Sequence, residues 1–114
     1  STEEVMFNVY EGLVKQTPEG DISPCIAKSY NISEDGLTYT FDIRNDVYFH
    51  NGSLLTPSDV VFSLNKMKEL KLQPAFKNIK DVKSDGNKVI VQLEKNDASL
   101  IYYLISIYYL IELN

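Results

Sequence analysis

Ser33-Glu34-Asp35-Gly36 followed by Leu37-Thr38-Tyr39-Thr40-Phe41-Asp42-Ile43 is the most constraining stretch of this chain. Leu37, Tyr39, Phe41 and Ile43 alternate with Thr38, Thr40 and Asp42, the period of a strand with one face on a core and the other in water. Asp35-Gly36 ahead of it is a hairpin turn signal, and Ala27 to Ile32 reads as the partner strand. A second hairpin repeats the logic further on. Ile79 to Ser84 and Lys88 to Glu94 flank the turn Asp85-Gly86-Asn87, with Val89, Val91 and Leu93 on one face.

Helical signals surround these strands. Thr56-Pro57-Ser58-Asp59 is a helix start: Thr56 caps the free backbone donors, Pro57 suits the first helical position, and Asp59 completes a capping box. Val60, Val61, Leu64 and Met67 form one stripe behind it, and the helix has to fade before Pro74. At the chain start, Val5, Met6, Val9, Tyr10 and Leu13 share a face, which predicts a helix over Glu3 to Lys15. Phe7 and Val14 fall off that stripe. Pro18-Glu19-Gly20-Asp21 then reads as a turn. Asn45-Asp46 is another turn, and Val47-Tyr48-Phe49 a short third strand closed by His50-Asn51-Gly52. From Leu100 to Ile111, 11 of 12 residues are apolar or tyrosine. Helix is expected from Ala98 to about Ser106, with a short strand or buried tail after it. That run is too short and too rich in tyrosine for a membrane span of ~20 apolar residues. The predicted class is α+β, a small antiparallel sheet of hairpins packed with two or three helices in one domain, 1–114.

Composition excludes several functions. The chain has 114 residues and a net charge of −5, from 16 acidic and 11 basic side chains, which disfavours a nucleic-acid surface. Cys25 is the only cysteine and His50 the only histidine, so neither a cysteine-built zinc site nor a two-histidine metal site can form within it. Cys25 is expected as a small buried hydrophobe. His50 reads as a structural hydrogen-bonding group at a strand end. No glycine-rich phosphate loop or nucleophile elbow occurs. Asp81, Asp85 and Glu34-Asp35 sit where carboxylates cap turn donors, and Arg44 is expected to anchor a carboxylate. Tyr102, Tyr103, Tyr108 and Tyr109 suit a half-buried interface; a base-stacking platform would want basic neighbours, which they lack. No catalytic residue, metal or cofactor is expected. Ser1-Thr2-Glu3-Glu4 has neither a basic nor an apolar leader region, so no signal peptide is expected within these residues.

Four motifs follow one another in order: Tyr10-Glu11-Gly12-Leu13-Val14, then the stretch from Pro24-Cys25-Ile26-Ala27 through Asp35-Gly36-Leu37-Thr38-Tyr39-Thr40-Phe41-Asp42-Ile43-Arg44, then Val47-Tyr48-Phe49-His50-Asn51-Gly52, then Leu55-Thr56-Pro57-Ser58-Asp59-Val60-Val61-Phe62-Ser63-Leu64. In this succession the chain resembles the family 5 extracellular solute-binding proteins, the peptide- and nickel-binding receptors of ABC importers. Tyr30 stands where the family usually has tryptophan, Asn51 where it has aspartate, and Cys25 at a position that is commonly alanine. The matching positions Tyr10, Glu11, Gly12, Leu13, Asp35, Gly36, Tyr39, Phe41, Arg44, Phe49, His50, Gly52, Thr56, Asp59, Val60 and Phe62 are expected to be structural, and no ligand-binding residue is assigned.

The resemblance implies two lobes closing on a solute, the first lobe divided into two subdomains. This chain would be the smaller subdomain, cut from a receptor several times longer. It implies a small peptide or similar solute such as nickel as ligand, an ABC permease as partner, and a place outside the cytoplasmic membrane, with signal and anchor upstream of Ser1. Excision would bare apolar surface, for which Phe7, Val14 and the Leu100–Leu113 run are candidates, and a homodimer through the C-terminal segment is expected to cover it. The alternative is a stand-alone protein-interaction module using the tyrosine-rich end. An enzyme built on His50 is the weakest reading, because that histidine has no visible partner.

Overall fold

The computed structural model describes residues 12–49, 52–71 and 74–104. Along them run β1 (Val14–Gln16), β2 (Ile22–Pro24), β3 (Ala27–Ile32), β4 (Thr38–Ile43), α1 (Pro57–Leu70), a 3₁₀ turn (Pro74–Asn78), β5 (Ile79–Asp85), β6 (Lys88–Leu93) and α2 (Leu100–Tyr103). The two expected hairpins, β3–β4 and β5–β6, join through an antiparallel β4–β6 pairing into a four-stranded sheet of order β3-β4-β6-β5. In the register Tyr39 faces Val91 and Phe41 faces Val89 across that central pair. The period-2 pattern thus places apolar side chains of four strands on one face.

That face is the floor of the core. Tyr39, Phe41, Val89, Val91 and Leu93 are buried there, and Val60, Leu64 and Met67 of α1 cover it together with Phe76 and Leu100. The rings of Tyr39 and Phe41 stack at 6.4 Å, and Tyr30 of β3 lies 5.9 Å from Phe41. Phe76 meets Tyr103 edge-on at 6.1 Å, which fastens α2 to the 3₁₀ turn. Burial of one such side chain contributes about 1.5–3 kcal/mol, and an aromatic pair about 0.5–1.5 kcal/mol beyond that. The α+β arrangement is the expected one.

Helix α1 begins as its local sequence dictates. Asp59 N–H donates to Thr56 Oγ1 at 3.4 Å, and Thr56 N–H donates back to Asp59 Oδ2 at 2.8 Å. It ends at Lys71, whose left-handed backbone (φ 54°) lets its N–H reach the carbonyls of Lys68 and Met67, short of Pro74.

Three expectations fail or shrink. Val14–Gln16 is strand, not the end of a helix: Val14 pairs with Pro24, and Leu13 O accepts from both Cys25 N–H and Ala27 N–H at 3.1 Å. Those non-local bonds override the helical spacing; Gly12 and Leu13 are buried and outside any helix, and the earlier part of the predicted first helix, residues 3–11 with Tyr10 and Glu11, lies outside the described residues. Val47-Tyr48-Phe49 is a single bridge, Tyr48 to Leu54, because the chain reverses at once, with Phe49 N–H donating to Ser53 O and Gly52 N–H to Phe49 O. The last described helix, α2, starts at Leu100 rather than at Ala98, and its expected continuation to about Ser106 with the strand or tail after it lies outside the described residues.

Candidate functional site

The described motif residues do not converge on one chemical centre; they secure turns, caps and core. Asp35 and Gly36 build the β3–β4 connection. Asp35 Oδ1 accepts from Ser33 Oγ at 2.6 Å and from Leu37 N–H at 3.0 Å, while Gly36 N–H donates to Ser33 O at 2.8 Å. These donors hold the Asp35 carboxyl below the usual carboxylate range, the Ser33 hydroxyl first and the Leu37 amide second. Gly36 has φ +74°, and a Cβ there would stand 2.6 Å from Asn96 Nδ2. Only glycine meets both demands.

Next to this turn lies a polar hub that the sequence reading missed. Asp97 accepts from Ser99 Oγ and from Ser99 N–H at 3.0 Å, and its other oxygen accepts from Asn78 Nδ2 at 3.2 Å. Its carbonyl accepts from Tyr39 Oη at 3.3 Å. The hub therefore ties the 3₁₀ turn, β4 and the start of α2 together. The Ser99 hydroxyl and amide lower the Asp97 carboxyl, and Asn78 adds to the effect. Burial, with Asp97 nearby, raises the Tyr39 phenol. The available signal was Asp97-Ala98-Ser99 directly before an apolar run, an Asx-type turn pattern.

Arg44 anchors a carboxylate as expected. Its Nε and Nη2 reach the two Asp46 oxygens at 3.0 Å each, a planar fork. Hydrogen bonding to Asp46 raises the guanidinium further, and the same bonds lower the Asp46 carboxyl. Cys25 is buried, also as expected. Asp81 and Asp85 carry no side-chain cap among the described residues, unlike Asp35.

Leu13, Tyr39, Phe41 and Val60 are core. Phe49 is half-buried, and Gly52 is exposed with φ +89°. His50, with the hydrogen-bonding role expected of it, lies outside the described residues. Phe62 points outward, 45% exposed, with Lys66 Nζ 5.8 Å from its ring centre.

Chemically, the described residues offer anchors rather than reactive groups. Among them, no three of His, Cys, Asp and Glu come together as a metal site. No described helix is long and apolar enough to cross a membrane. Ser63 Oγ is the one buried side-chain polar atom among the described residues without a hydrogen-bond partner. Of the apolar surface expected to be bared, the described part is mostly covered: Val14, Leu100, Ile101 and Leu104 are buried, Tyr103 is half-buried and Tyr102 is 52% exposed, while Phe7 and residues 105–113 lie outside the described residues. Tyr108 and Tyr109 lie outside the described residues.

Comparison with known proteins agrees with this structural character. A family model described as bacterial extracellular solute-binding proteins, family 5, middle, matches residues 21–112. Heme-binding protein A of Haemophilus influenzae is 33% identical over 129 residues, covering 88% of this chain and 23% of that protein. The dipeptide-binding protein of Lactococcus lactis is 32% identical over 87 residues, covering 76% of this chain and 16% of its own length. Among solved structures, NikZ from Campylobacter jejuni, in complex with Ni(L-His), superposes with a TM-score of 0.79 at 32% identity, over 87% of this chain and 21% of that one. The chain thus spans about a fifth of the length of the proteins it matches. None of these likenesses supports the expected homodimer. The chain belongs to the bacterial extracellular solute-binding proteins of family 5.

Proposed function

We propose that this chain is the smaller subdomain of the first lobe of a solute-binding receptor, and that the whole receptor delivers a small solute to an ABC permease. The observation that carries the reading is the superposition of 87% of the chain on 21% of a solute-binding protein, with the β3–β4 turn, the Arg44 fork and the α1 cap all in place. The subdomain's contribution is a rigid wall. The polar groups that the described motifs bring together, at Asp35, Asp46, Thr56 and Asp59, serve its own turns and caps, and the receptor's ligand contacts come mainly from the rest of the protein. The motif residues from Tyr10 to Phe62 act as fold determinants of that wall. The solute class is a dipeptide, an oligopeptide or a compact chelate such as a nickel–histidine complex. The receptor works outside the cytoplasmic membrane, in the periplasm or held by a lipid anchor.

Native mass spectrometry of the protein expressed from its whole native reading frame tests this, with calorimetry against peptide mixtures and nickel–histidine. One solute molecule per protein is the expected result. A full-length protein that binds none of these solutes, and instead captures a protein partner through residues 102–114, would overturn it.

A further inference from the structure

Two aspartates of the chain are followed by glycine, Asp35 and Asp85, and the fold treats them in opposite ways. The amide nitrogen of a following glycine is the least hindered nucleophile a side-chain carboxyl can meet along its own backbone. At Asp35 both reactants are engaged. The carboxylate accepts from Ser33 Oγ and Leu37 N–H, Gly36 N–H donates to Ser33 O at 2.8 Å, and Asn96 packs over the glycine. At Asp85 neither is. Its carboxylate makes no hydrogen bond or ion pair among the described residues, Gly86 N–H donates to no acceptor among them, and nothing lies within 4 Å of where a Gly86 Cβ would be. Asp85 is also the last rung of the β5–β6 ladder, opposite Lys88, so the backbone there rotates without breaking an interior pair.

We propose that Asp85 is a site of spontaneous aspartate isomerisation, and that the β3–β4 turn shields Asp35 from the same reaction. The Gly86 nitrogen attacks Cγ of Asp85. An N–Cγ bond forms, a carboxyl C–O bond breaks, and the oxygen leaves as water with the amide proton and one further proton, closing a succinimide ring. Water then adds to either ring carbonyl. One direction restores aspartate; the other leaves an isoaspartyl link in which the main chain passes through Cβ and Cγ of residue 85. Mass is unchanged overall, and solvent water is the only co-reactant.

The product strikes the fold at a sensitive place. Gly86, with φ +61°, holds the first central position of a two-residue hairpin turn of the II′ kind, and that turn sets the β5–β6 register. Asn87 O also accepts from Ile43 N–H at 2.9 Å, which ties the turn to β4. An extra main-chain carbon at 85 is incompatible with both.

The test is ageing of the folded chain at 37 °C and neutral pH, with isoaspartate located by methyltransferase labelling and peptide fragmentation. Isoaspartate at 85 should exceed that at 35 by more than about tenfold, because the Asp35 reaction must first break the hydrogen bonds of its turn. In concentrated urea the two sites should react at comparable rates. Ser33→Ala should raise the rate at 35, and Asp85→Glu should abolish the signal at 85 without altering the melting curve. Equal accumulation at both sites in the folded chain would overturn the proposal. So would a ratio unchanged by urea, or accumulation at 85 only after unfolding.

Discussion

Replacing Gly36 by alanine separates two contributions that the β3–β4 turn makes to stability. The first is conformational. At φ +74° an L-residue meets its following carbonyl, a strain of about 1–2 kcal/mol. The second is steric. The new Cβ would stand 2.6 Å from Asn96 Nδ2, 2.7 Å from Cγ and 2.9 Å from Oδ1. Asn96 is exposed and its side chain can swing away, so this crowding adds only about 1 kcal/mol, the low end of the overpacking range. The total for Gly36→Ala is about 2–3 kcal/mol, or roughly 4 °C of melting temperature per kcal/mol. Gly20 provides the control. It has φ +93° with nothing within 4 Å of its would-be Cβ, so Gly20→Ala carries the strain alone. Urea denaturation of both variants, with and without Asn96→Ala, reads the difference. Asn96→Ala should return about 1 kcal/mol in the Gly36→Ala background and nothing in the Gly20→Ala background. If Gly36→Ala were no more damaging than Gly20→Ala, or indifferent to Asn96, the packed-turn reasoning would be refuted.

Further outcomes follow from single groups. Ser63→Ala removes the unpartnered hydroxyl inside α1 and should stabilise the chain by about 1 kcal/mol, read by chemical denaturation; a destabilised variant would mean the hydroxyl has a partner. Thr56→Ala breaks the capping box and should destabilise by about 1 kcal/mol, with Thr56→Ser close to the parent. Asp35, Asp46 and Asp97 all have folded-state carboxyls below their ordinary values. Their contribution is therefore full above the unfolded-state value of about 3.9 and is lost as pH falls through the lower folded-state values. Thermal melts taken toward pH 2 should show this acid limb, weaker at high salt because the groups are solvent-facing. Asp97→Asn should flatten the limb while lowering stability at neutral pH. Tyr39 runs the other way: its raised phenol makes stability fall as pH climbs past about 10, and Tyr39→Phe should blunt that loss.

Local signals were legible and non-local ones were not. Thr56-Pro57-Ser58-Asp59 carries cap, first-turn proline and box partner within four residues, so α1 was readable at its start, and Pro74 bounded its end. The β4 alternation and its Asp-Gly turn were equally self-contained. Val14–Gln16 was not, because its strand exists only through pairing with Ile22–Pro24 and through Leu13 O meeting Cys25 and Ala27. The Asp97 hub was hidden for the same reason, since its partners Asn78 and Tyr39 lie 19 and 58 positions away. Phe62 sat in a motif without revealing its direction, but it falls off the Val60–Leu64–Met67 stripe, and an outward side chain is what that spacing implies. The apolar end misled in one respect: Leu100, Ile101 and Leu104 look like bared surface in sequence and are core in the fold.

The central claim is that these 114 residues are one part of a larger solute-binding receptor. Sequencing the native reading frame past Asn114 tests it most directly. The account predicts several hundred further codons, enough to match relatives of which this chain covers 16–23%, and a second lobe encoded among them. A stop codon directly after Asn114 in the native gene would contradict it.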